Sequence, residues 1–137
     1  MYTMKEVCQK MDMTYETLKF YCNEGLVPNV QRDKNNHRIF DENTVNWISS
    51  LSCLKKCGMS IQDMKKYLAY CLQGKSSIPQ RKEMLAIQRK FLVNKINELN
   101  ESINYIDWKQ NFYDDVISGK IPYESYLIDT TEKTIVE

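Results

Sequence analysis

The 137-residue chain is 42% hydrophobic and 27% charged and contains 4 Gly and 3 Pro, which suits a globular domain with an appendage and excludes collagen-like and low-complexity classes. It has no long apolar run and no secretion leader, and its five cysteines are odd in number, so we expect a cytoplasmic protein with reduced thiols and no membrane partner. The net charge of +1 hides an asymmetry, because residues 1–75 hold 11 Lys/Arg and 8 Asp/Glu whereas residues 76–137 hold 8 and 10.

The first 25 residues predict two short helices joined by a tight turn. Thr3 and Glu6 have the spacing of a capping box in front of the first helix. Thr14 can cap a second helix over residues 15 to about 24, and Gly25 can end that helix in a left-handed conformation. Two short helices in this arrangement are typical of a helix-turn-helix.

The next segments predict a hairpin and two more helices. The polar residues 31–36 lie between Val30 and the run from Arg38 to Phe40, which indicates a two-stranded wing with Asn at positive φ at its tip. Asp41 can cap a third helix that runs to about Cys57, and Ser60 can cap a fourth that ends at Gly74. We therefore expect residues 1–74 to form one domain.

The longest helical pattern opens at Pro79 and meets no Gly or Pro before Gly119. Its apolar residues alternate at spacings of four and three and define a coiled-coil seam, composed of Leu85, Leu92, Ile96, Leu99, Ile103 and Ile106. A helix of about 37 residues is roughly 55 Å long, too long to bury this seam on so small a domain. We therefore expect pairing with a second copy of the chain.

Polar residues interrupt the seam and bear on how the two copies pair. Lys82, Arg89 and Gln110 occupy seam positions, which favours an antiparallel or register-specific pairing over a generic one. The alternative is a helix that folds back on its own domain. The expected parts are residues 1–74, a dimerisation helix over residues 75–117 and an irregular acidic tail over residues 118–137.

Five motifs in this order resemble the MerR family of transcriptional regulators; they cover residues 2–7, 14–21, 24–28, 35–40 and 58–61. The resemblance implies a mainly α fold, with a winged helix-turn-helix DNA-binding domain followed by a long helix that forms an antiparallel coiled coil. It also implies a homodimer on double-stranded DNA, at a palindromic promoter operator. The regulator would distort this operator and so act indirectly on RNA polymerase.

Candidate DNA contacts follow from the helix-turn-helix, whose second helix enters the major groove with its N-terminal residues near the bases. They are Thr14, Tyr15, Lys19, Tyr21, Arg32, His37, Arg38, Lys55 and Lys56. Lys19 replaces the Arg usual in the family, loses the bidentate fork and is assigned to phosphate. Tyr21 and Trp47 each lie on an apolar helix face, so a core position is the alternative for both. Lys55 and Lys56 could equally be ordinary solvated side chains.

The sequence between Leu51 and Ser60 resembles one subgroup of the family, the thiol-dependent aldehyde- and redox-stress regulators (AdhR/NmlR-like). In that subgroup the Cys at the position of Cys53 is the reactive group, and Lys56 three residues on would favour its thiolate. The alternative is an inert small hydrophobic residue. Cys53 and Cys57, four residues apart, could instead share a soft metal.

Other functions lack a motif. With one His, no nucleophile–base constellation and no Gly-rich phosphate loop, we expect no enzyme, no cofactor and no resident metal. A coiled-coil adaptor, whose winged domain binds protein and not DNA, remains the alternative from a different class.

Overall fold

The computed structural model describes residues 1–130, which are mainly helical with one small sheet. Its described elements are, in order, β1 Tyr2–Thr3, α1 Met4–Met11, α2 Tyr15–Asn23, β2 Gln31–Arg32, β3 Arg38–Phe40, α3 Glu42–Lys56, α4 Ile61–Leu72 and α5 Ile78–Ile117, with a 3-10 turn at Lys75–Ser77. The chain divides into two compact units, Met1–Leu92 and a second that starts at Val93. None of the described helices is both long and apolar enough to cross a bilayer.

Side-chain caps start the first four helices where the sequence predicts them. Thr3 Oγ1 accepts from the Glu6 backbone N–H at 3.1 Å, and Glu6 Oε1 accepts from the Thr3 N–H at 3.0 Å. Thr14, Asp41 and Ser60 each accept from the N–H three residues on. These bonds satisfy helix donors that have no partner in the first turn, which also holds the pKa of the Glu6 and Asp41 carboxyls below their ordinary values.

The predicted hairpin is present, and a third strand joins it. β2 and β3 pair antiparallel with Arg32 opposite Arg38, and Asn36 at the tip has φ +63°, which Asn tolerates better than most residues. β1 lies on the other side of β3, with Tyr2 opposite Phe40, so the strand order is β1-β3-β2. β1 was not predicted, because its partner lies far along the chain.

The core of the first unit lies where the sheet and the first four helices meet. Its buried apolar residues are Val7, Leu18, Tyr21, Leu26, Val27, Phe40, Val45, Ile48, Leu51, Leu54, Met59 and Met64. Trp47 packs at the edge of this core, where its Nε1 donates to the Leu26 carbonyl at 2.8 Å and its ring stacks on Tyr67. The alternative given for Trp47, a core position, therefore holds.

The second unit contains α5 from Val93 onward and the segment that follows it. α5 ends at Ile117, and Gly119 takes φ +82° while the Lys120 N–H donates to the Asp115 carbonyl at 2.9 Å. The next segment is irregular as predicted, but Glu124 and Ser125 are buried, and Ser125 Oγ accepts from the Leu127 and Ile128 N–H groups. The rest of the predicted tail, residues 131–137, lies outside the described residues.

Candidate nucleic-acid interface

α2 separates an inner face from an outer one. Leu18 and Tyr21 are buried, whereas Tyr15, Lys19 and Phe20 are exposed on the other side. Thr14 caps the helix: its Oγ1 accepts from the Thr17 N–H at 3.1 Å and lies 2.8 Å from Thr17 Oγ1. The exposed side chains at the start of the helix can therefore meet a ligand without disturbing the packing of the inner face.

Tyr21 is the candidate contact that the structure places in the core. Its side chain is 1% exposed, and burial raises the pKa of its phenol. Its buried hydroxyl has no hydrogen-bond partner within the described part of the chain. The role seen here is packing, the alternative already given for this residue, and a DNA contact would require the side chain to move.

The wing is organised by a residue that the sequence reasoning did not single out, Asp33. Its Oδ1 accepts from the backbone N–H groups of His37 and Asn35, both at 2.9 Å, and these bonds lower the pKa of the carboxyl. Its Oδ2 lies 3.8 Å from His37 Nδ1. An Asp two residues before an Asn in a turn is typical of this side-chain-to-backbone bonding, so a signal for it was present.

Two arginines fix the wing from its base. Arg32 Nη1 donates to the Asn36 carbonyl at 2.9 Å, across the tip. Arg38 Nη2 donates to Asn23 Oδ1 at 2.7 Å, which ties β3 to the last residue of α2. A guanidinium carries five N–H donors, so each arginine keeps donors for an outside partner.

A concave surface brings these elements together. It holds about 320 Å³ and lies between the wing, the start of α1 and the start of α2. Four of the predicted contacts line it, namely Tyr15, Arg32, His37 and Arg38, together with Lys5, which the sequence reasoning missed. A Lys in the first turn of a helix opposes the helix dipole, and this unusual position was the available signal.

A second depression joins the start of α2 to the end of α3. Thr14, Lys55 and Lys56 line it, although 41 residues separate Thr14 from Lys55. The N-terminus of α4, capped by Ser60, follows directly and presents the positive end of its dipole. Lys19 lines neither depression and stands alone on the exposed face of α2.

The five cysteines are free thiols and differ in exposure. Cys53 is exposed, whereas Cys57, Cys8, Cys22 and Cys71 are partly buried. Burial raises the pKa of the Cys8, Cys22 and Cys71 thiols; for Cys22 the nearby guanidiniums of Arg38 and Arg32 act in the opposite direction. Within residues 1–130, no group of three or more His, Cys, Asp or Glu side chains could hold a metal ion.

The predicted seam of α5 is open along the single chain. Leu85, Ile96, Leu99, Ile103 and Ile106 are all exposed, and Leu92 is partly buried.

The chain matches known transcriptional regulators over most of its length. The model of the family described as "MerR HTH family regulatory protein" matches residues 2–71. An uncharacterized HTH-type transcriptional regulator of Haemophilus influenzae is 35% identical over 82% of this chain and 83% of its own length. The HTH-type transcriptional regulator AdhR of Bacillus subtilis is 32% identical over 64% of this chain and 63% of its own.

Solved structures agree with these sequence matches. HiNmlR, described as a MerR family regulator lacking the sensor domain and crystallised bound to promoter DNA, superposes with a TM-score of 0.73 at 33% identity, over 85% of this chain and 89% of that one. A MerR family transcriptional regulator from Bacillus thuringiensis gives a TM-score of 0.69 at 28% identity, over 82% and 98%. These relatives are regulators and not enzymes.

Proposed function

Since the chain belongs to the MerR HTH family of regulatory proteins and is a DNA-binding transcriptional regulator of the AdhR/NmlR-like subgroup, we propose that it works as a homodimer on a palindromic promoter operator. The observation that carries the proposal is the concave surface on which Tyr15 of α2 meets Arg32, His37 and Arg38 of the wing. It puts a helix start and a cationic hairpin on one side of the domain, which is what a DNA groove and its flanking phosphates require.

The contacts divide by chemistry. Tyr15 and Lys19, exposed near the start of α2, are the side chains that reach the major groove and its edge. Arg32, His37 and Arg38 lie along the backbone beside the wing, while Lys55, Lys56 and the start of α4 meet phosphates on the other side of α2. Phosphate contacts set the register of the domain, and base contacts at the start of α2 set the sequence.

The exposed seam supports the homodimer. Leu99 is 65% exposed and its seam neighbours are similarly open in the single chain. Burying a Leu or Ile side chain contributes about 1.5–3 kcal/mol, so a second copy that covers the seam gains free energy at every position. The two copies double the cationic surface and place two α2 helices on two half-sites, hence the palindrome.

Regulation would act through DNA shape. A dimer that holds two half-sites can bend or twist the DNA between them, which changes the alignment of promoter elements for RNA polymerase without direct contact. The similarity to HiNmlR, a MerR family regulator crystallised on promoter DNA, supports a promoter site.

Cys53 is the proposed sensor of an electrophile or oxidant. Its side chain is exposed on α3, one turn from Lys56 and close to the DNA-facing residues Lys55 and Ser60. With an aldehyde, the thiol sulfur would add to the carbonyl carbon and the thiol proton would pass to the carbonyl oxygen, giving a hemithioacetal. The soft-metal alternative lacks support, because no further metal-ligating cluster accompanies Cys53 and Cys57 among the described residues.

A DNA experiment tests the main proposal. The operator is selected from a random duplex library, footprinted, and titrated at several salt concentrations. We expect a protected palindrome, with a salt slope that falls by about 1 in Lys19→Ala and in Arg38→Ala. Lys90→Ala, an exposed Lys on α5, is the matched control and should leave the slope unchanged. No protected palindrome would overturn the proposal, as the adaptor alternative predicts; unchanged slopes would overturn the contact assignment.

A transcription experiment tests the sensor. Purified protein, operator and RNA polymerase are treated with formaldehyde or a thiol oxidant, and transcript is measured. We expect a response in the wild type and in Cys57→Ser, and its loss in Cys53→Ser. An equal response in Cys53→Ser would remove Cys53 from the mechanism.

A further inference from the structure

Two polar side chains of α5 bind the ends of other helices in the first unit. Arg81 and Gln88 lie seven residues apart and therefore on the same face, since seven residues make about two turns. Each immediately precedes a polar seam position, Lys82 and Arg89 respectively. This face therefore lies beside the seam and is separate from it.

Arg81 makes local bonds at the joint between α4 and α5. Its Nε donates to Ser77 Oγ at 3.0 Å, and its Nη2 donates to the Gly74 carbonyl just past the end of α4. Ser77 is 1% exposed and also lies within bonding distance of the Gly74 and Tyr70 carbonyls. A cation at the C-terminal end of α4 is stabilising, because the last carbonyls of a helix lack partners.

Gln88 makes a bond across 31 residues. Its Nε2 donates to the carbonyl of Cys57, the C-cap of α3, at 2.6 Å. Gly58 follows with φ +82°, and a Cβ built there would lie 3.6 Å from both Gln88 Nε2 and Phe91 Cε1. The turn between α3 and α4 therefore lies directly against α5.

That turn is the one with proposed DNA contacts on both sides. Lys55 and Lys56 precede Cys57, and Ser60 caps α4 three residues after it. The Cys57 N–H donates to the Cys53 carbonyl at 3.1 Å, so the proposed sensor lies one hydrogen bond further along the same backbone. The Gln88 amide is thus the long-range polar link between the DNA-facing turn and the helix that carries the seam.

We propose that Gln88 is a positioning residue for operator recognition: its bond to the Cys57 carbonyl fixes the α3–α4 turn at one place along α5 and so sets the half-site spacing that the dimer accepts. The inference rests on the proposed dimeric operator binding. Gln88 touches no DNA in this scheme and acts through the turn that does.

The test compares Gln88→Glu with wild type on a series of duplexes whose two half-sites are moved apart or together by one base pair at a time, and on a single half-site. A carboxylate cannot donate to the carbonyl. We expect affinity at the selected spacing to fall about tenfold, the value of one lost hydrogen bond, with a flatter spacing profile and unchanged single-half-site affinity. Gln80→Glu makes the same change at an exposed position of α5 and should keep the wild-type profile.

Each outcome decides. If wild type shows no preferred spacing, the dimeric operator proposal fails; if wild type does and Gln88→Glu matches Gln80→Glu, only the role of Gln88 fails. Equal loss on the single half-site and the palindrome would indicate general damage to the domain and overturn positioning. Gln88→Leu removes the donor without a new charge, and thermal unfolding reports whether each variant folds. Loss of folding in both variants would make the bond a folding requirement and likewise overturn the proposal.

Discussion

The first unit and the seam of α5 are both rich in aliphatic side chains but differ in how those side chains are covered. Within residues 1–130, every buried hydrophobic side chain lies between Val7 and Leu68, and Ile48 at the centre is 0% exposed. The seam of α5 instead leaves Leu99 65% exposed. The first region completes its own core, whereas the seam can be completed only by another surface. The same residue types therefore encode a domain in one region and an interface in the other.

The largest expected effect comes from the seam. Leu99→Asp with Ile103→Asp removes two apolar side chains per copy, and each contributes about 1.5–3 kcal/mol when buried. In a symmetric dimer four side chains are lost, so we expect dissociation to a monomer at micromolar concentration, measured by sedimentation velocity.

Ile87→Asp is the matched control for the seam. Ile87 is 65% exposed, as Leu99 is, but it lies two residues past Leu85 and off the seam. This variant should stay dimeric. Dissociation of Ile87→Asp, or a dimer that survives the double substitution, would contradict the assigned interface.

The second effect comes from the core of the first unit. Ile48→Ala should lower the free energy of unfolding by about 2–5 kcal/mol, through lost burial and the cavity left behind. Urea denaturation followed by circular dichroism measures it. Ile87→Ala makes the same change at an exposed site and should cost under about 1 kcal/mol. Equal losses in the two variants would show that the exposed and buried aliphatic groups are not distinct as described.

Local rules predicted much of this fold. The caps at Thr14 and Ser60 depend on a side chain and a backbone N–H only three residues apart, so spacing alone was enough to place the helix starts. The wing followed from a polar turn between two short apolar segments. Each of these features is fixed by residues that are neighbours in the chain.

Contacts between distant residues could not be predicted in the same way. β1 forms only because Tyr2 meets Phe40, and Gln88 reaches Cys57 only once α3 and α5 are packed. Cys53 is a different case. It lies two residues after the buried Leu51, hence about 200° around the helix, so helical phase favoured the exposed position that the average burial of Cys disfavoured.

The third effect separates exposed from partly buried thiols. At pH 7.5, iodoacetamide should modify Cys53 at least about tenfold faster than Cys22, because Cys53 is exposed while burial raises the pKa of Cys22 and keeps it as the unreactive thiol. Peptide mapping by mass spectrometry over time measures the order. In urea all five cysteines should react at similar rates, and faster modification of Cys22 than of Cys53 in the folded protein would contradict the prediction.

The smallest effect concerns the cap that starts α3, the helix that carries both Ile48 and Cys53. The Thr44 N–H donates to Asp41 Oδ1 at 2.8 Å, and this bond lowers the pKa of the carboxyl in the folded protein. A lowered folded pKa stabilises the protein above the unfolded pKa of about 3.9, and this stabilisation is lost as pH falls through the folded value. Asp41→Asn keeps a capping oxygen but cannot ionise, so it should unfold at a slightly lower temperature than wild type at pH 7 and at the same temperature at pH 2. Glu6 and Asp33, whose carboxyl pKa values are also lowered, remain in both proteins and cancel in the difference. A difference that persists or grows on acidification would show that the charge of Asp41 does not stabilise the start of α3.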